Sequence, residues 1–317
     1  MENTATPAGS GRSAPRVAAV VLNWNGWRDT IPCLESLSKS ASAPSVIVVD
    51  NGSTDDSLAR IASAAPWIRL LSLSANLGFS AGVNAGIAAA LSDGTPEYLW
   101  VLNNDTVVES ETLSRMVDLA DSDSRIGIVG CRLVDADGSG RVQAFGGGSL
   151  NPWLATTSVY LAPTSRPRDH LVGASLLVRR SLLEQIGGFD ERYFFYLEDT
   201  DLSLRARRAG WRLEVANDAT VMHRRGASIS GGAATPSLSS DVQQARSAGI
   251  FAVTMGLPWM VTAIPLRLLG MAIRRAVRGQ MNRIPSITRA YAEGLRLGRS
   301  PRQVPSFRPE SAAEPSA

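Results

Sequence analysis

Short apolar runs alternate with helically periodic stretches over the first 130 or so residues. Val17 to Asn23 is apolar and of strand length, and Trp27 to Leu37 spaces its apolar residues as a helix does. The unit recurs three times: Val46 to Asp50 before a helix reaching about Ala64, Ile68 to Leu73 before Gly78 to Leu91, and Tyr98 to Leu102 before Ser110 to Ala120. Strands alternating with helices of this length imply right-handed crossovers and a mainly parallel α/β sheet. The run Val46-Ile47-Val48-Val49 reads as a strand buried on both faces. The Gly78–Leu91 segment is rich in Ala and Gly and has to pack closely. After Ile126 to Val129 the alternation loosens into Gly-rich, mixed-strand sequence up to about Pro167. A Leu171–Ser175 strand is expected next, with His170 just before it as a structural or surface residue.

Polar clusters fall at the ends of these elements. Asp50 closes the second strand and runs into Asn51-Gly52 and a helix-capping pattern, Ser53-Thr54-Asp55. Two readings of Asp50 stay open: a helix cap, or an acceptor for a base or ribose at the carboxyl edge of a parallel sheet, where such sheets bind ligands. Asp105 follows the fourth strand. Glu198-Asp199-Thr200-Asp201 opens a helix that ends in Arg205, Arg207, Arg208 and Gly210. Acids in a first turn and Arg in a last turn complement the helix dipole. The preceding aromatic run, Tyr193 to Tyr196, could also wall a pocket where a partly desolvated carboxylate acts as a base.

Composition adds an asymmetry. The chain of 317 residues has a formal charge of only +3, yet Arg267 to Arg302 holds nine Arg against one acid, Glu293. The remainder is therefore acidic, and the basic arm suggests an anionic partner. An uncharged run, Ser247 to Leu266, precedes that arm. A membrane-surface helix pair on anionic lipid, a single membrane span and a dimerisation face are the three readings, the first favoured. Nucleic acid is disfavoured because no aromatics are interleaved with the Arg. No Gly-Lys-Ser/Thr phosphate loop and no Gly-x-Gly-x-x-Gly turn is present. Cys33 and Cys131 are isolated thiols expected in the core in a reducing compartment. Residues 1–15 and 301–317 read as disordered tails.

Several segments, in order and spacing, resemble glycosyltransferase family 2: Val20 to Asn25, Val48 to Asp55, Asn76 to Asn84, Leu102 to Thr106, and Gly187 to Glu191 followed by Tyr196 to Leu202. The likeness covers about residues 16–230, with 231–300 as a basic amphipathic helical extension. Its nearest subgroup is the rhamnosyltransferase-like and galactofuranosyltransferase-like enzymes. The resemblance implies the GT-A fold and a nonprocessive inverting transfer from a nucleotide-diphosphate sugar, dTDP-rhamnose favoured and a UDP-sugar the alternative. The acceptor would be a glycan or polyprenyl-linked glycan of the cell surface, and the enzyme would sit at the cytoplasmic face of the membrane. Asn23, Asp50, Asn84, Asn103 and Asp105 would bind the donor, and Gly173 and Ala174 the acceptor. Asp105 and His223 would hold Mg²⁺ or Mn²⁺. Asn103 stands where the family carries an Asp, which removes one negative charge and lowers the expected metal affinity. Asp199 would be the base with Glu198 beside it, the reverse order remaining open. Processive relatives carry Gln-x-x-Arg-Trp; Gln280 to Ile284 lacks the Trp. A catalytically silent scaffold on the same fold is the reading from another class.

Overall fold

The structure is a computed structural model, and it describes residues 16–151, 153, 156–224, 237–255 and 260–308. Strands β1 (Val17–Asn23), β2 (Ser45–Asp50), β3 (Arg69–Ser72) and β4 (Tyr98–Asn103) alternate with helices α1 (Trp27–Ser38), α2 (Ser57–Ala64) and α3 (Gly78–Asp93). Then come β5 (Thr106–Val108), α4 (Thr112–Asp121), β6 (Ile126–Asp135), β7 (Val142–Phe145), β8 (Gly147–Asn151), β9 (Thr156–Val159), β10 (His170–Leu171) and β11 (Ser175–Arg179). The remaining elements are α5 (Arg180–Ile186), α6 (Glu198–Arg208), β12 (Arg212–His223), α7 (Leu238–Thr254), α8 (Met260–Val277) and α9 (Ile284–Gly298).

The main sheet runs β3-β2-β1-β4-β11-β6-β12-β5, with β7 added on β6. Its first four strands are parallel, β11 is antiparallel to both neighbours, and β12 returns parallel to β6. The chain leaves β1 toward β2 on one side and comes back to β4 on the other, so the sheet's switch point lies at the carboxyl ends of β1 and β4. A crevice opens at such a place.

Strand alternation divides the core. Val17, Ala19, Val21, Val46, Val48 and Trp100 face α1, α2 and α4, while Ala18, Val20, Ile47, Val49 and Leu99 face α3. The Ala/Gly content of α3 is needed for this second layer: a Cβ on Gly86 would collide with the side chains of Val20 and Val49. Both cysteines are buried and free.

Three local expectations are corrected. Residues 172–174 form a turn, and the strand begins at Ser175, because Asn103 N–H bonds Ala174 O at the point where β11 leaves β4. Ser53 caps no helix. Its hydroxyl donates to Asp50 and accepts from Asn25 N–H, and α2 starts only at Ser57, whose N–H bonds Asp55. The C-terminal segment is fixed as far as residue 308. Gly188 N–H bonds Pro305 O, Glu191 N–H bonds Gln303 O, and Phe307 packs on the α3-side core. Residues 1–15 and 309–317 lie outside the described part.

No helix among the described residues is long and apolar enough to cross a membrane. The uncharged run instead puts Ala248, Ile250 and Phe251 of α7 into protein core, against Tyr193 and Leu204 on one side and Tyr291 of α9 on the other. Residues 256–259 of that run lie outside the described part.

Candidate active site

The ends of β1 and β2 build a polar floor. Asn23 and Asp50 are both buried, and Asn23 Nδ2 donates to Asp50 Oδ1 at 2.8 Å. Ser53 adds its hydroxyl to Oδ1 (2.6 Å) and its N–H to Oδ2 (3.1 Å). Thr30, in the first turn of α1, donates to Asn23 Oδ1 and receives Asn104 Nδ2, which ties the loop after β4 to the same floor. Each carboxylate oxygen of Asp50 is thus oriented by neighbours.

The end of β4 carries the second cluster. Asp105 is 9% exposed, and its Oδ1 lies 3.3 Å from Nε2 of His223, the last residue of β12. Asn103 Nδ2 is 3.4 Å from the same nitrogen. The other ring nitrogen, Nδ1, lies 2.9 Å from Gln143 Oε1 on β7. The loop is also held from behind, since Arg224 N–H bonds the carbonyl of Asp105 while its guanidinium pairs with Asp29. Burial raises the Asp29 carboxyl above its ordinary value, and the nearby Asp105 charge adds to that against the opposing pull of Arg224.

The third cluster is the start of α6. Asp199 Oδ2 accepts from Gly173 N–H at 2.8 Å, and Oδ1 accepts from the N–H and hydroxyl of Thr200. A Cβ on residue 173 would stand 3.1 Å from Asp199 Cβ and 3.2 Å from Oδ2, so any larger residue would push this carboxylate by a few tenths of an ångström. Glu198 is buried, and its Oε2 has no partner among the described residues. Burial, with the charge of Asp199 alongside, pushes its carboxyl well above the usual carboxylate range. The chain enters α6 through two non-glycine residues of positive φ, Tyr196 (74°) and Leu197 (67°), a costly conformation that surroundings must impose. Ser247 bonds Phe195 O, Tyr196 Oη meets Ser240 Oγ at 2.7 Å, and Phe79 N–H bonds Phe194 O. One turn later Asp201 pairs with Arg205 and with Arg302 of the C-terminal segment. Asp201 is therefore a brace. The basic end of α6 is engaged likewise, Arg207 pairing with Asp169 and Arg208 resting on Met255.

A single turn joins the second and third clusters. Ala174 O accepts from Asn103 N–H at 3.1 Å, and Gly173 N–H donates to Asp199. The structure thus brings together Asn103, Asp105, His223, Gly173, Ala174 and Asp199, with Asn23 and Asp50 on the adjoining floor. Asn84 is not among them. Its amide is occupied by Phe189 N–H, Phe189 O and Glu191, so it staples α3 to the loop before α6. His170 is buried, with Nε2 3.2 Å from Ser158 O, away from the other clusters. Sequence reasoning missed Gln143, Ser53, Ser247 and Arg302. Only Ser53 had a signal, its place in the Asp50 motif.

The donor chemistry fits a divalent cation whose coordination substrate completes. One carboxylate oxygen and one ring nitrogen sit 3.3 Å apart. No group of three His, Cys, Asp or Glu gathers among the described residues, so diphosphate oxygens and water would supply the remaining ligands, as is common for cations bound with nucleotides.

Among solved structures the chain is similar to a mannosyltransferase from Pyrobaculum calidifontis in complex with GDP-Man and Mn²⁺. The TM-score is 0.53 at 15% identity, covering 89% of this chain and 88% of that one. The fold is that of the GT-A glycosyltransferases, enzymes that use nucleotide-sugar donors. Residues 19–187 match the sequence model of Glycosyl transferase family 2, and the chain belongs to that family. Among curated proteins it is 37% identical over 216 residues to the N-acetylglucosaminyl-diphospho-decaprenol L-rhamnosyltransferase of Mycobacterium tuberculosis, covering 61% of this chain and 70% of that protein. It is 27% identical over 200 residues to a low-salt glycan biosynthesis hexosyltransferase of Haloferax volcanii, covering 61% and 62%.

Proposed function

We propose that the chain transfers a sugar, dTDP-rhamnose being the favoured donor, to a hydroxyl of a polyprenyl-linked glycan with inversion at the anomeric carbon. The observation that carries this reading is the Gly173–Ala174 turn, which ties the donor-side cluster of Asn103, Asp105 and His223 to Asp199 through two backbone hydrogen bonds. The acceptor oxygen attacks the anomeric carbon from the face opposite the diphosphate, and its proton passes to Asp199. Three donors aim that carboxylate, whereas Glu198 is buried and its Oε2 has no partner among the described residues to orient it. Asn23 and Asp50 orient the nucleoside. Asp105 and His223 would hold Mg²⁺ or Mn²⁺, which supplies charge neutralisation for the leaving diphosphate.

The same reading gives α8 a task. Leu266, Leu269, Ile273 and Val277 fall on one exposed face, while Leu268 and Met271 pack inward against α7 and α9. Arg274 and Arg278 flank the exposed face. An apolar stripe with basic flanks suits peripheral attachment to an anionic membrane surface, at the inner face of the cell membrane where a polyprenyl-linked acceptor is presented.

Calorimetric titration with dTDP, UDP and GDP, each with and without Mn²⁺, tests the donor reading. dTDP binding that strengthens with metal, followed by rhamnose transfer to a polyprenyl-diphosphate-linked GlcNAc, is the expected result. Tighter binding of UDP would move the donor class, and no nucleotide binding would leave a silent scaffold.

A further inference from the structure

We propose that Gln143 is a positioning residue: it fixes the neutral His223 ring as its Nδ1–H tautomer, so that Nε2 presents a lone pair to the cation site beside Asp105. The inference rests on the metal reading above but concerns a residue outside every motif of the sequence.

The Gln143 amide has a single orientation that satisfies its neighbours. Its Nε2 lies 2.6 Å from Asp135 Oδ1 and 2.7 Å from the backbone oxygen of His223. In the native chain both neighbours serve as acceptors, the Asp135 carboxylate being paired with Arg141, so the amide cannot be reversed without setting oxygen against oxygen. The remaining atom, Oε1, must accept from His223 Nδ1 at 2.9 Å. A neutral imidazole carries one N–H, which leaves Nε2 unprotonated. That nitrogen faces the Asn103 amide at 3.4 Å and the Asp105 carboxylate at 3.3 Å.

The backbone has a device for this aim. In the β6–β7 pairing Leu133 faces Ala144 while Val134 faces Val142, so Gln143 is the extra residue of a β-bulge. Bulges beside active sites redirect a side chain that regular pairing would point elsewhere. On the other edge of β6, His223 stands opposite Asp135. Three strands thus converge on one amide. Partners that orient a ligating histidine typically contribute 10–100-fold to metal affinity.

The test uses the full chain labelled with ¹⁵N-histidine, which has only two such residues. In metal-free protein at a pH where the ring is neutral, His223 is expected to show the Nδ1–H tautomer, and an Nε2–H tautomer overturns the proposal without any variant. Gln143→Leu, or Gln143→Met if the first fails to fold, is expected to lose that tautomer. It should also weaken Mn²⁺ binding in the presence of dTDP by about 10–100-fold in protein that is still folded at the assay temperature. Unaltered Mn²⁺ affinity in a folded variant overturns the relay. His223→Ala separates the two readings: loss of Mn²⁺ binding there with no loss in Gln143→Leu sinks the relay alone. Undiminished binding in His223→Ala sinks the metal reading beneath it.

Discussion

The floor around Asp50 and the corner around Asp199 are both built on carboxylates at the ends of elements, and they are held in opposite ways. At the floor the partners of Asp50 itself come from nearby in the chain: Asn23 is 27 residues away, and Ser53 is 3. The floor's positive-φ residues are Gly52 (70°) and Asn25 (50°), residue types that take up that region at little cost, and each Asp50 oxygen has a donor. At the corner two residues sit at positive φ, Glu198 Oε2 has no partner among the described residues, and the bracing contacts come from 44, 52 and 101 residues away. The floor is a relaxed surface on which a ligand lies. The corner holds a conformation that local forces oppose, a pattern found where geometry serves reaction more than stability.

Four experiments probe that contrast. The largest effect is expected from Asp199→Asn, which should lower kcat by about 10²–10⁴, the usual worth of a positioned base, with dTDP affinity unchanged by calorimetry. Loss of nucleotide binding in that variant would merge the two regions. Gly173→Ala comes next. The added methyl group presses the Asp199 carboxylate, so a fall of about tenfold in kcat is expected from a shift well under the 1 Å that costs about 10²-fold. Unchanged kinetics would mean the corner tolerates displacement.

Arg302→Ala removes a partner from Asp201, which keeps Arg205. A destabilisation of about 1–3 kcal/mol is expected, read as a Tm lowered by about 2–4 °C per kcal/mol. An equal loss of nucleotide affinity would show the brace reaching the floor. The smallest effect is a gain. The Glu198 carboxyl is raised in the folded chain, so above its unfolded value of 4.5 the native state binds more protons than the unfolded state, and stability falls as pH rises. Glu198→Gln abolishes that dependence and should raise Tm by a few degrees at pH 7–8 while leaving it unchanged near pH 4. A Tm lowered at both values would mean the carboxyl has a structural partner.

The same contrast explains what could be read from the sequence. Asn23 and Asn103 were pointed to only by the family resemblance, whereas strands β1 to β4, their helices, and the positions of Asp50 and Asp105 at strand ends were legible because hydrophobic periodicity and strand-end chemistry are local signals. The acids opening α6 were legible for the same reason. The antiparallel insertion of β11 was not, since its neighbours β4 and β6 are chosen by the sheet and leave no mark in the run itself. Gln143 sits in Gly-rich, mixed-strand sequence, and only a bulge places it against His223. Asn84 was assigned by its motif, yet contacts 105 and 107 residues away claim its amide. Arg302 lay in a stretch whose composition resembles a tail, and a composition carries no record of where a chain lands.

That late arginine gives the molecule a history in time. Synthesis proceeds from the N-terminus and folding follows it, so the parallel strands and the polar floor can form while residue 302 is still unmade. The last of the contacts that hold the first turn of α6, Arg302 to Asp201, closes over a separation of 101 residues. A growing chain therefore passes through an interval in which the polar floor is already built while Asp201 still lacks the arginine that completes its brace.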